Sequence, residues 1–484
     1  MSLSLAFNTA RASLAATSTQ IETTTRNIAN AGQPGSSRKI AVTTTEATGG
    51  AYVVTVSRAS DGPLYTRMLG ATSNAADRQA VLDGLDRLRT GMGDVTGDNS
   101  PAARLGALGD ALAQFANAPD DPALGARTVT MAQDLATTLN SAAATVRTVR
   151  SEADSGMARS VARVNDLLKQ FAAENDTVVR GTGAGRDVSD AMDRRDSLLA
   201  SLAEEMGVTA VSRGNNDLVL YTDGGATLFE TTPRTVSFAT TPVLAAGMAG
   251  KAVMVDGVSV TGADATMPLR SGRIAGLAEL RDRTAVTLET QLDSLAFGLT
   301  QAFAEKDQTG GGAPDAPGLF TDGTANLPAG PTGLAARLTV NPAVDPAQGG
   351  SPSRLRDGGI NGAAYVVNTG GQPSFGAHLQ AGAAALAEVR DFDPASGIPA
   401  RSTMADFAAA STGWLEGQRR VAARETESET ALLAHASSAL SNATGINMDD
   451  EYARQLDLER SYQASSKLIA VVSSLYDALF QALR

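Results

Sequence analysis

The chain of 484 residues is poor in the residue types that build reactive and metal-binding sites. It has no cysteine, which excludes disulfide bonds and thiolate metal ligands, and it has only two histidines. Aromatic residues make up 4% of the sequence, with a single tryptophan, Trp414. Ligand pockets usually recruit aromatic side chains, so this scarcity favours helix packing through alanine, leucine and valine. We therefore expect no cofactor and no bound metal.

Concentrated positive charge is also missing. The formal net charge is −12 and the isoelectric point is near 4.8. The pairs Arg194-Arg195 and Arg419-Arg420 are flanked by acidic or apolar residues, so neither forms the basic stripe that a nucleic-acid partner requires. No run of about 18 apolar residues occurs, and we expect no membrane insertion.

Signals for secretion and for catalysis are equally scarce. The N-terminal segment lacks the charged region followed by an apolar region that marks a cleavable signal peptide, so an extracellular destination would need a signal-less export route. His378 and His435 lie outside any catalytic motif. We expect that the protein is not an enzyme.

The start of the chain carries a heptad pattern, with apolar or small residues spaced alternately by four and three positions. The pattern predicts a helix to about Asn30, after which asparagine, glycine and proline predict a turn. Two of its positions are threonine, so this helix needs a partner to be stable. The stripe consists of Leu3, Phe7, Ala10, Leu14, Thr17, Ile21, Thr24 and Ile28, and the turn includes Asn27, Asn30, Pro34 and Gly35.

The end of the chain repeats the same spacing. Asn447 can cap the helix, and Asp449, Asp450 and Glu451 place negative charge on its first turn. Two heptad helices at opposite chain ends suggest that they pair, although periodicity alone leaves open two ordinary surface helices on a globular body. The C-terminal stripe consists of Leu458, Tyr462, Ser465, Ile469, Val472, Tyr476, Leu479 and Leu483.

Between the ends, the sequence predicts a second layer of helices. One of more than about 45 residues follows the break at 119–122, and others cover about 190–206 and 272–306. From about residue 207, short apolar runs alternate with turn signals, which predicts a small β-domain. Residues 309–400 are rich in glycine and proline and predict loops with a few strands.

The predicted fold class is mainly α with β insertions, an α+β multi-domain chain with terminal coiled-coil helices and a rod built from long helices. Its expected domains are a terminal coiled-coil assembly domain (1–37 plus 445–484), a helical rod domain (60–206 plus 270–306 and 402–444), an inserted β-domain (207–269) and a Gly/Pro-rich outer insertion (307–401).

Two segments have alternative chemical interpretations. Gly181-Thr182-Gly183-Ala184-Gly185 looks like a phosphate-binding loop, but no strand precedes it and no Lys-Ser/Thr follows, which favours a link between helices. Asp190, Asp193 and Asp196 would share one helix face. With Arg194 and Arg195 adjacent, ion-paired packing is favoured over a metal site there.

Several motifs resemble those of the flagellar rod, hook and hook-associated protein family. The N-terminal signature is similar to residues 27–31 with Pro34-Gly35 and Ser37-Arg38, and the C-terminal one to residues 445–451 and 462–465. Residues 192–199 and 269–282, with Leu319-Phe320, resemble the branch that joins the hook to the filament. The chain departs from the pattern at Arg26, Ser36 and Lys39, and residues 307–401 have no clear counterpart.

The resemblance implies a structural subunit of the bacterial flagellum that forms a junction ring between hook and filament, with the two terminal stripes as assembly residues. It implies self-association, contacts with hook protein and other hook-associated or filament proteins, an export chaperone, type III export and an extracellular location. The alternatives are another axial protein, such as hook or distal rod, or a surface adhesin or antigen carried on the β insertions; flagellin is disfavoured because its N-terminal segment is absent.

Overall fold

The structure is a computed structural model that describes residues 3–45, 51–92 and 99–482. Within these ranges the chain is mainly α-helical with small β insertions, which confirms the predicted fold class. The helices are α1 (Leu3–Asn30), α2 (Gly62–Met92), α3 (Pro101–Asn117), α4 (Pro122–Gly183), α5 (Ser189–Glu205), α6 (Arg273–Glu279), α7 (Ala285–Ala302), α8 (Ser353–Asp357), α9 (Ala377–Ala387), α10 (Met404–Thr444) and α11 (Met448–Ala482).

The strands form five small antiparallel sheets: β1–β2, β3-β4-β5, β6-β7-β8, β9–β10 and β11–β12. The β1–β2 hairpin follows α1 directly and carries a bulge between Val42 and Thr43. The strands are β1 (Lys39–Thr45), β2 (Ala51–Arg58), β3 (Val208–Ser212), β4 (Leu218–Thr222), β5 (Thr227–Phe229), β6 (Val236–Ser237), β7 (Met254–Val255), β8 (Val258–Ser259), β9 (Phe320–Thr321), β10 (Thr339–Val340), β11 (Arg390–Asp391) and β12 (Arg401–Ser402).

Helix α4 spans both cores of the molecule. Its 62 residues correspond to a length of about 93 Å at 1.5 Å per residue. The Asp121 side chain caps its start by accepting a hydrogen bond from the Ala123 amide at 2.8 Å, and Pro122 occupies the first helical position. At its end, Gly185 takes a φ of +64°, and the Arg186 amide donates to the Gly181 carbonyl at 2.9 Å. This is a Schellman motif, so the glycine-rich segment terminates a helix, as the favoured interpretation requires.

The larger apolar core lies between α2, α3, the first half of α4, α7 and the start of α10. Its members are mostly leucine, alanine and valine, in line with the composition. Each fully buried leucine contributes roughly 1.5–3 kcal/mol. Fully buried side chains in this core include Leu88, Leu108, Leu139, Leu288 and Phe407.

The smaller core lies between the second half of α4, α5 and strands β3–β8. Phe171 of α4 meets Phe229 of β5 edge to face, with ring centroids 5.1 Å apart. This contact joins the β insertion to the helical rod, so the insertion is packed on α4 along its side.

Two fully buried arginines also fix the connection between the β insertion and α4. Arg150 pairs with Glu289 at 2.8 Å and donates to the Ala245 carbonyl, between β6 and β7, at 3.2 Å. Arg281 pairs with Asp154 of α4 and lies in a turn of π-helix, residues 280–284, that joins α6 to α7. Removing one partner of a buried ion pair usually costs about 3–5 kcal/mol, because the other charge is left uncompensated.

The remaining elements correspond closely to the sequence predictions. The helix predicted after residues 119–122 is α4, and the helix predicted at about 190–206 is α5. The one predicted at about 272–306 is α6 and α7, continuous through the π-turn. The β1–β2 hairpin was not predicted, since its threonine-rich strands lack a clear apolar alternation.

Residues 307–401, predicted to be an outer insertion, contribute to the larger core. Phe320, Leu334, Leu338 and Val344 are fully buried there. Phe320 also meets Phe303, just after α7, edge to face at 5.5 Å. Packing is thus shared between this segment and the rod helices; the division of the chain into four domains stays a prediction.

One buried carboxylate anchors that segment. Asp293 of α7 accepts hydrogen bonds from the Gly333 amide at 2.6 Å and the Ala335 amide at 2.9 Å. Burial nevertheless raises the pKa of Asp293 to about 6. The folded state therefore takes up a proton between roughly pH 4 and 6, and this residue's contribution to stability is lost as the pH rises through that window.

We expect that Asp293→Asn removes this pH dependence, because asparagine does not ionise. From pH 4.5 to pH 7.5, the free energy of unfolding of the unchanged chain should fall by on the order of 1–2 kcal/mol relative to that of the variant. Urea unfolding at both pH values measures the difference. The control is Asp110→Asn, at an exposed position on α3; equal pH dependence in both variants would contradict the assignment.

Candidate assembly interface

The two terminal helices lie side by side and run antiparallel. Near the outer end of the pair, the hydroxyls of Ser13 on α1 and Ser465 on α11 are 3.4 Å apart. Near the body, Asn27 of α1 donates to Glu451 of α11 at 3.1 Å. The contact thus runs at least from Ser13 to Asn27 along α1 and from Glu451 to Ser465 along α11, and the structure brings together the two stripes noted in the sequence.

Every member of the N-terminal stripe is buried or half-buried, and Ala10, Thr17 and Thr24 are the most enclosed. In the C-terminal stripe, Ser465 and Val472 are buried and Leu458, Ile469 and Tyr476 are half-buried. Asn447 caps α11 by accepting from the Asp449 amide at 3.0 Å.

Not every predicted assembly residue faces the partner helix. Tyr462 is 40% exposed and Leu479 is 47% exposed, while Leu483 lies outside the described residues. In the predicted turn, Pro34 is exposed and Gly35 has a φ of +81°. Asn30 ends α1 and accepts a hydrogen bond through its carbonyl from the Gln33 amide at 3.0 Å. Asn27, which the sequence assigned to the turn, lies within α1.

A second apolar stripe on α11 was missed by sequence reasoning. Leu468, Val471, Leu475 and Leu479 are spaced by three, four and four positions, so they share one helix face, and each is about half exposed. We call these four residues the outer stripe. An exposed contiguous apolar face usually marks an interaction site. The signal was present in the sequence, but the heptad pattern beside it assigned only Leu479 to an interface.

The polar centre of the site is Asn27, which is 2% exposed. Its amide nitrogen donates to the Lys39 carbonyl at 2.9 Å and to the Glu451 carboxylate at 3.1 Å. Its amide oxygen accepts from the Lys39 backbone at 2.8 Å. The Arg38 amide also donates to the Thr444 carbonyl at the end of α10, at 2.8 Å. The end of α1, the start of β1 and the α10–α11 turn therefore meet at one point.

An acidic face of α5 then holds this point against the body. Asp193 accepts from the Ser37 amide at 3.0 Å and the Ser37 hydroxyl at 2.7 Å, and it also binds the ammonium of Lys39. Arg58 of β2 bridges two acids, reaching Asp193 at 2.9 Å and Asp196 at 2.6 Å. We call Ser37, Lys39, Arg58, Asp193 and Asp196 the basal latch.

The pKa values within the basal latch show which interactions dominate. Burial alone would raise the pKa of Asp193, but hydrogen bonds from Lys39, Ser37 and Arg58 outweigh burial, and the pKa is lowered. Burial raises the pKa of Asp196, against the opposing effect of Arg58. Hydrogen bonds within the latch therefore favour the charged form of Asp193, whereas burial disfavours the charged form of Asp196.

The sequence identified this acidic face but not its partners. Asp190, Asp193 and Asp196 form ion pairs, as the favoured interpretation requires, with residues from the terminal segment: Arg26, Lys39 and Arg58. The neighbouring arginines of α5 bind elsewhere. Arg194 pairs with Glu174, and Arg195 donates to Asn175. Contacts across 130 or more residues carry no local signature, so spacing alone could not assign them.

Two further features are absent from the described part of the chain. No group of three or more histidine, aspartate or glutamate side chains is placed to hold a metal ion. Over the same residues, no helix combines the length and the apolar character needed to cross a membrane.

The described geometry defines a mainly helical protein whose two terminal helices are paired and leave an apolar face exposed. Comparisons with known proteins agree with this class. Residues 85–320 match the family model described as the flagellar hook-associated protein FlgK helical domain. This match includes most of the rod helices and the β insertion.

Curated relatives point to the same family. The chain is 24% identical over 257 residues to flagellar hook-associated protein 1 of Salmonella typhimurium, covering 52% of this chain and 46% of that protein. It is 23% identical over 267 residues to the protein of the same name from Escherichia coli, covering 54% and 48% respectively. The alignment thus spans about half the length of these relatives.

A solved structure, titled the flagellar hook junction protein FlgK from Burkholderia pseudomallei, matches with a TM-score of 0.42 and 19% identity over 53% of this chain and 46% of that one. The family model, which covers just under half of the chain, and the curated relatives both show that the chain is similar to flagellar hook-associated proteins.

The basal latch can be tested with Asp193→Asn. Loss of this charge leaves the Lys39 ammonium, 2% exposed, with one carboxylate, Asp190 at 3.7 Å, beside the neutral carbonyl and hydroxyl oxygens of Ser37 at 3.2 Å. This should cost about 3–5 kcal/mol locally. We expect faster amide exchange in α1, β1 and β2, with little change in α4. Hydrogen exchange followed by mass spectrometry measures this.

The matched control is Asp190→Asn on the same helix face. Asp190 is 50% exposed and its pairs are 3.7–3.8 Å long, so the change should cost less than about 1 kcal/mol. Equal exchange rates in the two variants would show that the latch does not hold the terminal helices.

Proposed function

We propose that the protein is a structural subunit of the bacterial flagellum that forms the junction between hook and filament and assembles through its paired terminal helices. The observation that carries this proposal is the outer stripe of α11, which remains exposed after α11 has paired with α1. The similarity to hook-associated proteins supports a setting in which such a face is covered by neighbouring subunits.

The energetics of the terminal pair support assembly. Within α1 and α11, the buried apolar residues are Ala10, Ala16 and Val472, which is little for helices of 28 and 35 residues. Covering the four residues of the outer stripe would add several kcal/mol per subunit, at about 25 cal/mol per Å² of apolar surface. The helix pair would thus bury more of its apolar surface in a polymer than in the monomer.

The proposed partners are further copies of the chain, the hook protein and other hook-associated or filament proteins, with an export chaperone before assembly. The proposed location is the extracellular flagellum, reached by signal-less type III export. The proposed role is structural rather than enzymatic, because the features described above are contacts between helices. A hook or distal rod protein is the alternative, and it differs in where the assembled subunit lies.

Loss of the chain should leave hooks without filaments, with filament protein released into the medium. In a strain lacking it, the unchanged chain should restore filaments, and Leu475→Asp should not, because a charge would enter the subunit contact. Electron microscopy of the cells measures both outcomes. Cells without hooks would instead support the hook or rod alternative.

The matched control is Leu432→Asp on α10. Leu432 is 46% exposed and Leu475 is 50% exposed, so both changes are tolerated equally by the isolated fold. Filaments restored by Leu475→Asp as well as by Leu432→Asp would overturn the assembly role of the outer stripe.

The sparse apolar burial at the terminal pair also predicts its behaviour in dilute solution. Residues 1–35 and 446–484 should be cleaved by protease well before the rod helices, since isolated helices of this composition are only marginally stable. Limited proteolysis with mass spectrometry measures the order of cleavage. Protection of both ends in the monomer would argue against folding on assembly.

A further inference from the structure

The second half of α10, residues 423–444, lies along α2 with little apolar burial. Up to Ala422 the helix contributes methionine, phenylalanine and leucine side chains to the larger core, but within the second half only Thr426 and Ala436 are buried. The two helices are nevertheless in contact there, with Arg78 of α2 paired to Glu425 of α10 at 3.3 Å. Because α10 leads directly into α11, the contacts that hold this half on α2 also position the base of the terminal pair.

Arg78 is shared by carboxylates from three helices. Its guanidinium lies 2.7 Å from Asp77 on α2, 3.3 Å from Glu425 on α10 and 3.7 Å from Glu279 on α6. We call these four residues the acidic clasp. One positive charge faces three negative charges when all the carboxylates are ionised, so the acidic clasp is then short of positive charge.

Asp77 is the buried carboxylate of the acidic clasp. Its side chain is 4% exposed, whereas those of Glu279 and Glu425 are 33% and 48% exposed. Its Oδ2 accepts a hydrogen bond from Arg78, but its Oδ1 is buried and has no partner among the described residues. Keeping this carboxylate ionised is costly, because it has lost its water and its single charge partner is shared with two other acids.

The pKa of Asp77 follows from these surroundings. Burial raises it most strongly, Glu279 and Glu425 raise it further, and Arg78 opposes them, so that the pKa rises from its usual 3.8 to about 6. A group whose pKa is higher in the folded state contributes stability that is complete below the unfolded value and is lost as the pH rises through the folded value. The contribution of Asp77 is therefore lost between roughly pH 4 and 6.

Charged side chains on the other elements packed against α2 are paired elsewhere or exposed, so the titration of Asp77 is set mainly by the acidic clasp. The pairs are Glu152 of α4 with Arg87, Arg273 of α6 with Glu205, Arg281 with Asp282 in the π-turn, and Asp196 of α5 with Arg58, and the exposed residues are Arg159, Arg283 and Arg424.

We propose that the acidic clasp is a proton-dependent attachment of α10 to α2 and α6. With a proton from the solvent on Asp77, the charge of Arg78 serves Glu279 and Glu425 alone, and α10 is held more firmly than when Asp77 is ionised. Mild acid thus tightens the base of the terminal pair, and neutral pH loosens it. The acidic clasp acts within one chain, so this proposal is independent of the proposed junction function.

The test is amide exchange in the full chain at pH 5 and pH 7.5, followed by mass spectrometry and corrected for the intrinsic effect of pH on exchange. In the unchanged chain, protection of residues 423–436 should fall by about tenfold more than in Asp77→Asn, because asparagine does not ionise. Asp293 titrates in the same range in both chains, so the difference between them reports Asp77.

A second variant, Glu425→Gln, keeps the titrating group and removes one like charge. The midpoint of the protection loss should move to lower pH, whether or not Asp77→Asn weakens the fold. The matched control is Asp83→Asn, at an exposed position on α2, which should behave as the unchanged chain does. Equal pH dependence in Asp77→Asn and the unchanged chain, an unmoved midpoint in Glu425→Gln, or loss of the pH dependence in Asp83→Asn would overturn the proposal.

Discussion

The amide of Asn27 is bound on one side by the backbone of Lys39 and on the other by the carboxylate of Glu451, so three parts of the chain meet at one buried side chain. Its position fixes where α1 ends, where β1 begins and where α11 starts. Because α11 starts at this point, the chain between Arg58 and Thr444 must leave it and come back to it. The nested order of the molecule follows from that constraint.

The basal latch fixes the direction in which the terminal helices leave the body, as well as the place where they are attached to it. An apolar contact would hold the terminal helices against the body at many angles, because the hydrophobic effect has no direction. The Asp193 carboxylate receives hydrogen bonds from Ser37, Lys39 and Arg58, and each has its own geometry. Desolvating these charges limits their net contribution to stability. Their main effect is that the terminal pair leaves the body in one direction, as a subunit in a regular polymer requires.

The helices and their ends could be predicted from the sequence because their causes are local. Pro122 and Asp121 begin α4, Gly185 ends it, and Asn447 caps α11. The equal spacing of the terminal stripes suggested that they pair, although periodicity alone also allowed two ordinary surface helices. The partners of Asp193 could not be predicted, since Lys39 and Arg58 lie 154 and 135 residues away in sequence.

The burial of residues 307–401 also escaped prediction, for a different reason. Its buried residues, such as Phe320 and Leu334, are separated by glycine, proline and turn residues, so they follow neither a helical nor a strand period. What they have in common is seen only in the structure, where the segment is attached to α7 and Asp293 binds the amides of Gly333 and Ala335. Periodicity detects elements that bury a regular face, and it misses loops anchored by one side chain.

The rod and the terminal helix pair differ in the residues they bury, and this difference suggests how stability and assembly are separated in this chain. The rod buries many leucines along α4 and α7. The α1–α11 pair buries mainly alanine, threonine and serine, and leaves the four larger apolar side chains of the outer stripe about half exposed. Small residues allow the two helices to approach closely while contributing little burial. The outer stripe is therefore available for the proposed contacts between subunits, while the burial that stabilises the rod lies elsewhere in the chain.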